Sequence, residues 1–346
     1  MNKRFPILRY AVLLVWLVSV GAGVPLPGTA RAAEEVNVYS YRQPFLIKPL
    51  FDAFTRETGI RVNVVFAPQG MLERIKQEGR NSPADVILTV DVGRLQDAVG
   101  AEILQPIRTP TLERNVPGPY RHPEWLWYAL TLRSRVILAS KARVKPGDLG
   151  TYEELATPRW KGRVCMRSSQ HEYNVGLLAS LIVHNGAQAA EEWARGLKEN
   201  LARKPQGNDR AQVRAIKEGE CDVALVNTYY MGAMLQDEEQ ATWADAVYLI
   251  FPNQAGRGAH INISGAGIAR YAPNRANAVR LLEFLSGDLA QRMYAEQNHE
   301  YPVRAGTAWS GLLESWGRFK MDQAALQQVA ERRAEAIRIF DRVGIP

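Results

Sequence analysis

The run Trp125-Leu126-Trp127-Tyr128-Ala129-Leu130-Thr131-Leu132-Arg133-Ser134-Arg135-Val136-Ile137-Leu138 is strand-forming almost throughout. It continues well past the ~5–6 residues of an ordinary strand. A strand of that length has to cross from one sheet into another, so the run predicts two lobes joined where it crosses. On its N-terminal side, Val36-Asn37-Val38-Tyr39-Ser40 alternates like a strand. After Pro44, the residues Ile47, Leu50, Phe51 and Phe54 recur on one helical face until Gly59 stops the helix. Ile60 to Phe66 reads as a strand, Met71 to Glu78 as a helix, Asp85 to Val90 as a strand and Val92 to Val99 as a helix. That β-α-β-α-β order argues for a parallel sheet with helices on its faces. Thr109 to Pro123 holds four prolines without periodicity and reads as a loop.

The pattern restarts after the long strand. Gly162 to Met166 is a strand, and Val175, Leu178, Ala179 and Ile182 line a helix. Ser169 and Glu172 have capping-box spacing, which puts Tyr173 in the first turn of that helix. Helices are expected in Ala187 to Leu201 and Arg210 to Gly219, followed by a strand over Cys221 to Val226. Tyr248 to Phe251 and Asn262 to Ile268 read as strands, the latter crossing back between the lobes, with its glycines kept for close packing. Helices over Asn277 to Ser286 and Asp322 to Arg342 finish the chain.

The N-terminus reads as a secretory signal peptide. Lys3, Arg4 and Arg9 precede the apolar run Ala11 to Val20, and Ala30-Arg31-Ala32 offers small residues for cleavage before Ala33. No other stretch approaches the ~20 apolar residues of a membrane span. The formal charge is +7; without Lys3, Arg4, Arg9 and Arg31, Lys+Arg falls from 43 to 39 against 36 acids, leaving +3. So mild an excess, without a basic run, does not indicate nucleic acid. The reading is an exported, soluble protein. Cys165 and Cys221 can bridge in an oxidising compartment, and two buried free thiols fit the sequence as well.

The chemistry concentrates on tyrosines. Asn227-Thr228-Tyr229-Tyr230 follows the buried strand Asp222 to Val226, so two adjacent phenols stand where a strand opens into the next element. Taken alone, such a pair is as well explained as aromatics capping a core. Tyr173 also follows a short strand and opens a helix, and the carboxyl ends of strands in an α/β unit border the crevice where such sheets bind ligands. Three phenols converging there suit a hard trivalent cation, which prefers anionic oxygen. Ionising one phenol near pH 7 costs about 4 kcal/mol, so three cost ~12, which only a strongly charged metal offsets. Enzymatic readings find little support. The five histidines show no metal-binding spacing, and no G-x-S-x-G nucleophile elbow is present.

Several stretches together carry a resemblance. They are Asn37-Val38-Tyr39-Ser40-Tyr41-Arg42-Gln43-Pro44, Thr58-Gly59-Ile60, Ser82-Pro83-Ala84-Asp85-Val86, Leu132-Arg133-Ser134-Arg135-Val136 and Asn227 to Tyr230. The chain resembles the periplasmic ferric-iron-binding proteins of bacterial ABC iron transporters, in the subclass with all-tyrosine ligands and a carbonate-type anion. The resemblance implies an α/β, two-lobed type II periplasmic binding protein, each lobe a mostly parallel sheet flanked by helices, joined by crossing hinge strands. It implies a signal peptide over 1–32, an N-lobe of 33–131 and 256–305, and a C-lobe of 132–255 and 306–346.

By the same resemblance Tyr173, Tyr229 and Tyr230 are the Fe(III) ligands, and Arg42, Gln43 and Arg133 hold a synergistic anion, carbonate by this reading. Tyr41, Asn174 and Asn227 would stand behind them, and Tyr39 or Tyr41 would be the only first-lobe phenols within reach. Some relatives carry a histidine and a glutamate where this chain has Gln43 and Val90, and others a tyrosine at the position of Pro44. The implied partner is an inner-membrane ABC permease, with the receptor a periplasmic monomer and not an enzyme. Independently of the family, three phenolates neutralise Fe(III), and Arg42 and Arg133 would balance a carbonate dianion. The same two arginines would equally clamp an anionic or phosphorylated organic solute, with the tyrosines as cleft walls.

Overall fold

The structure is a computed structural model that describes residues 34–346. The segment expected as a signal peptide lies outside those residues. The strands are β1 (Glu35–Ser40), β2 (Arg61–Phe66), β3 (Val86–Thr89), β4 (Leu104–Gln105), β5 (Tyr128–Ser140), β6 (Val164–Cys165), β7 (Val223–Asn227), β8 (Val247–Ile250), β9 (Ile261–Ala269) and β10 (Tyr301–Pro302). Their order is β2-β1-β3-β9-β5-β7-β6, with β4 on β9 and with β8 and β10 on β5.

Strand β5 does what its length demands. Its N-terminal part, Tyr128 to Ser134, pairs with β9 in the first sheet. From Arg135 onward it pairs with β7 and β8 in the second. All 13 of its residues are buried. Parallel ladders join β1 to β2 and β3 in the first sheet and β6 to β7 in the second. Antiparallel pairs join β3 and β5 to β9 in the first sheet and β7 to β5 in the second. The result is a mixed α/β structure with two lobes.

Alternation decides which core each strand builds. Val36 and Val38 of β1 join the cluster containing Leu50, Phe54 and Trp127, while Tyr39 turns to the opposite face with Met71, Ile75 and Ile87. Strand β7 divides likewise, Val223 and Leu225 on one side, Ala224 and Val226 on the other. The glycines of β9 serve close packing. A Cβ at Gly265 would lie 2.7 Å from the Tyr128 carbonyl oxygen, and one at Gly267 2.6 Å from that of Leu126. Cys165 and Cys221 are disulfide-bonded, which settles the alternative the sequence left open. Among the described residues, no helix is long and apolar enough to cross a membrane.

Three local expectations are corrected. The proline-rich stretch expected as a loop contains a helix, Pro110–Asn115, because Pro110 starts it and the Thr109 hydroxyl accepts from Leu112 N at 3.1 Å. The capping box is not formed. The Ser169 hydroxyl instead donates to the Ile345 carbonyl at 2.6 Å, and the cap is His171, whose Nδ1 accepts from Tyr173 N at 3.3 Å. The single last helix is two, Leu326–Glu331 and Arg333–Val343. Asp322 lies outside both, accepting from the Ser180 hydroxyl at 3.0 Å and lying 2.8 Å from His184 Nε2. The helical run Glu172–Glu199 is in turn two helices meeting at Gly186, whose φ of 82° only glycine adopts freely.

Candidate metal centre

Both tyrosine-bearing elements begin at the same edge of the second sheet. Strand β7 ends at Asn227 and the helix Thr228–Leu235 follows at once, so Tyr229 and Tyr230 occupy its first turn. Tyr173 occupies the first turn of the helix beginning at Glu172. The phenol oxygens of Tyr173 and Tyr229 are 2.9 Å apart, and the rings of Tyr229 and Tyr230 lie 4.4 Å apart, tilted by 30°. Burial pushes the pKa values of Tyr173 and Tyr229 well above the ordinary phenol value; Tyr230 adds to the rise at both and Arg133 opposes it, as does the Tyr229 hydrogen bond at Tyr173. Both are therefore neutral in the metal-free protein.

Beneath the phenols lies a buried network centred on a carboxylate. Asp209, fully buried, accepts from Arg135 Nη1 at 2.6 Å, from Arg167 Nη1 at 3.2 Å and from Asn227 N at 2.8 Å. Arg135 also donates to Asn174 Oδ1 at 2.9 Å and to Asn227 Oδ1 at 3.2 Å. Register makes this possible, because Arg135 on β5 sits opposite Asn227 on β7. The guanidinium carbons of Arg133, Arg135 and Arg167 lie 5.6, 5.8 and 5.2 Å from the Tyr173 ring centre. Asn174 and Asn227 thus belong to the same hydrogen-bonded network as Asp209.

The facing wall is built differently. Arg42 is buried and makes a two-point pair with Glu300, at 2.7 and 3.1 Å, and also donates to the Ser264 hydroxyl. Arg133 reaches the same hydroxyl at 3.1 Å and donates to the Val90 carbonyl. Gln43 is exposed at the start of the helix Pro44–Thr58. The Tyr41 hydroxyl accepts from Leu72 N at 3.1 Å, and Tyr39 donates to Glu78 at 2.9 Å. The cavity between the walls measures about 760 Å³. Tyr41, Arg42, Gln43, Arg133, Tyr173, Tyr229 and Tyr230 all line it.

Sequence reasoning did not single out Arg135, Arg167, Asp209, Arg210 or Glu300. The available signal was Arg133 and Arg135 alternating inside an otherwise apolar strand, since a charged residue fully inside a sheet needs a partner. Asp209 and Glu300 carried no local mark. Among the described residues, no group of three or more His, Cys, Asp or Glu could hold a metal ion, so tyrosine is the side chain that distinguishes this cleft.

Two α/β lobes joined by crossing strands, with a polar cleft between them, define a solute-binding protein. The model of the bacterial extracellular solute-binding protein family matches residues 81–327, and the chain belongs to that family. It is 47% identical over 323 residues to iron uptake protein A1 of Synechocystis, covering 92% of this chain and 90% of that protein. The apo ferric ion-binding protein A of Pasteurella haemolytica superposes with a TM-score of 0.87 at 50% identity, over 90% of this chain and 98% of that one. The Trichodesmium FutA protein, in complex with iron and citrate, gives a TM-score of 0.87 at 44% identity, over 90% and 100%. The fold is that of the type II periplasmic binding proteins, and the chain is a binding protein rather than an enzyme.

Proposed function

We propose that this chain is a periplasmic receptor that binds Fe(III) in its cleft through Tyr173, Tyr229 and Tyr230 with a co-bound anion, and delivers it to an inner-membrane ABC permease. The observation that carries this reading is the meeting of two phenol oxygens at 2.9 Å with a third tyrosine ring tilted alongside. Neutral phenols repel nothing while the cleft is empty, and their ionisation needs a cation that offsets at least ~12 kcal/mol. Burial raises that requirement for Tyr173 and Tyr229, which favours a trivalent over a divalent ion. The iron-uptake and ferric-binding relatives support the choice of metal.

Arg133 and Gln43 remain the proposed anion holders. Arg42 contributes position more than charge, because Glu300 already neutralises it. In this reading the lobes divide at 134/135, where β5 changes sheets, three residues past the expected 131/132, and then at 255/256 and 305/306, and the receptor acts as a monomer in the periplasm. The test is a visible spectrum during titration with ferric citrate, with and without bicarbonate. A phenolate-to-iron band that saturates at one equivalent is expected. A colourless iron-saturated protein would overturn the assignment.

A further inference from the structure

Four arginines line the cavity: Arg42, Arg94, Arg133 and Arg210. Two of them face carboxylates. Arg42 is paired with Glu300 at 2.7 Å, and Arg94 lies 3.7 Å from Asp91 and 3.8 Å from Glu172. Arg133 donates only to neutral oxygens, those of Ser264 and Val90. Arg210 has less still. Its guanidinium carbon lies 5.8 Å from the Tyr230 ring centre, and its buried Nε has no acceptor. The adjacent Asp209 is already occupied by Arg135, Arg167 and Asn227 N.

Local structure does not account for Arg210. It is the second residue of the helix Asp209–Glu218, where the helix dipole disfavours a cation. A positive charge held there, directed into a cleft and without a carboxylate, is poised for an anion that the isolated chain does not supply. Arg133 and Arg210 flank different phenols, Arg133 lying against Tyr173 and Arg210 against Tyr230. With the three phenolates neutralising Fe(III), these two are the cavity-lining arginines that no carboxylate already holds.

We infer that Arg210 contacts the co-bound anion and sets the cleft's selectivity, favouring a polycarboxylate over carbonate. The inference rests on the ferric reading above. A carbonate chelating the metal has one further oxygen to offer and serves one flank. A di- or tricarboxylate chelates the metal and still carries a free carboxylate for the second flank, and a cavity of about 760 Å³ accommodates it. Arginine suits that role because its planar fork meets a carboxylate at two points.

The test titrates the mature chain with iron supplied either as ferric citrate or as a ferric salt with bicarbonate, following the visible band. Arg210→Gln is expected to weaken iron binding with citrate by about ten- to a hundredfold, the effect of losing a charged hydrogen bond. With bicarbonate it should change binding by less than about threefold, and Arg210→Lys should keep most of the citrate affinity. Arg133→Gln should weaken both. A thermal melt of each iron-free variant checks the fold, and Arg210→Ala serves as the second neutral variant. Equal losses with the two anions would overturn the inference and assign Arg210 to Tyr230 alone. No loss with either would overturn it too. A wild-type chain colourless with both anions would instead overturn the ferric reading, and the inference with it.

Discussion

The two walls of the cleft use arginine for opposite purposes. On the second-sheet wall, Arg135 and Arg167 converge on the buried Asp209 and tie together β5, the end of β7 and the start of the Tyr173 helix. One carboxylate offsets one of their two charges, and the network fixes the elements that carry the phenols. On the first-sheet wall, Arg42 is tied to Glu300, and its tyrosines are turned elsewhere, Tyr39 to Glu78 and Tyr41 to the Leu72 amide. That wall offers polar contacts and no free anionic oxygen for a metal. In the ferric reading, one wall would present the ligands and the other would close over the anion.

Removing the proposed ligands should have the largest effect. Tyr229→Phe with Tyr230→Phe keeps the rings and loses two oxygens. The expected result is loss of the visible band and a fall in ferric affinity of roughly four orders of magnitude, taking each oxygen at the hundredfold upper limit of even an outer-shell partner. A receptor for an anionic organic solute would tolerate the change, so unaltered binding would favour that rival.

Protons report on the same wall. Burial holds Tyr173 and Tyr229 above the ordinary phenol pKa, so both carry protons at pH 7 and must lose them when metal binds. With Tyr230 included, about three protons should leave per ferric ion, and lowering the pH should weaken binding by up to about a thousandfold per unit. The sign is fixed: acid returns protons to the phenols and releases metal. A pH-stat titration with ferric nitrilotriacetate, corrected for protons taken up by the freed chelator, measures the number. Fewer than two protons would mean that the phenols do not act together.

The two buried carboxylates sharpen the contrast. Asp209→Asn leaves two guanidiniums, and Glu300→Gln one, without a counter-charge, and each should cost about 3–5 kcal/mol in urea unfolding. Their effects on metal should diverge. Asp209→Asn loosens the support of the phenols and should lower ferric affinity by about ten- to a hundredfold. Glu300→Gln releases the charge of Arg42 into the cleft and should leave ferric affinity unchanged or raise it. Equal losses in the two variants would erase the distinction between the walls.

How much of this was legible in the sequence follows from distance along the chain. The crossing strand announced itself through length, the first-sheet helices through apolar spacing, and the phenols through position after apolar runs. Each is a local property. The Arg135–Asp209 and Arg42–Glu300 pairs join residues separated by 74 and 258 positions, so nothing near either carboxylate marks its role. The charge balance first drawn around Arg42 and Arg133 therefore omitted Glu300, which only the fold brings to Arg42. The capping box at Ser169 failed for a related reason. The Ile345 carbonyl, 176 residues away, claimed the hydroxyl the pattern had assigned to the helix.

That failure leaves the smallest prediction. His171 caps the helix carrying Tyr173, its Nδ1 accepting from Tyr173 N, with the two rings edge to face at 4.3 Å. A protonated ring could not accept that bond. Burial, aided by Arg167, Arg135, Arg94 and Arg133, pushes the His171 pKa down to about 2, which keeps the ring neutral. His171→Ala should therefore cost about 1 kcal/mol in urea unfolding of the iron-free protein at pH 7. His171→Asn, whose side-chain oxygen makes the same bond, should recover most of that stability. Ser169→Ala removes a hydroxyl bonded to the C-terminal segment and should leave the first turn intact, which amide exchange at Tyr173 can follow. Faster exchange there in Ser169→Ala than in His171→Ala would return the cap to serine.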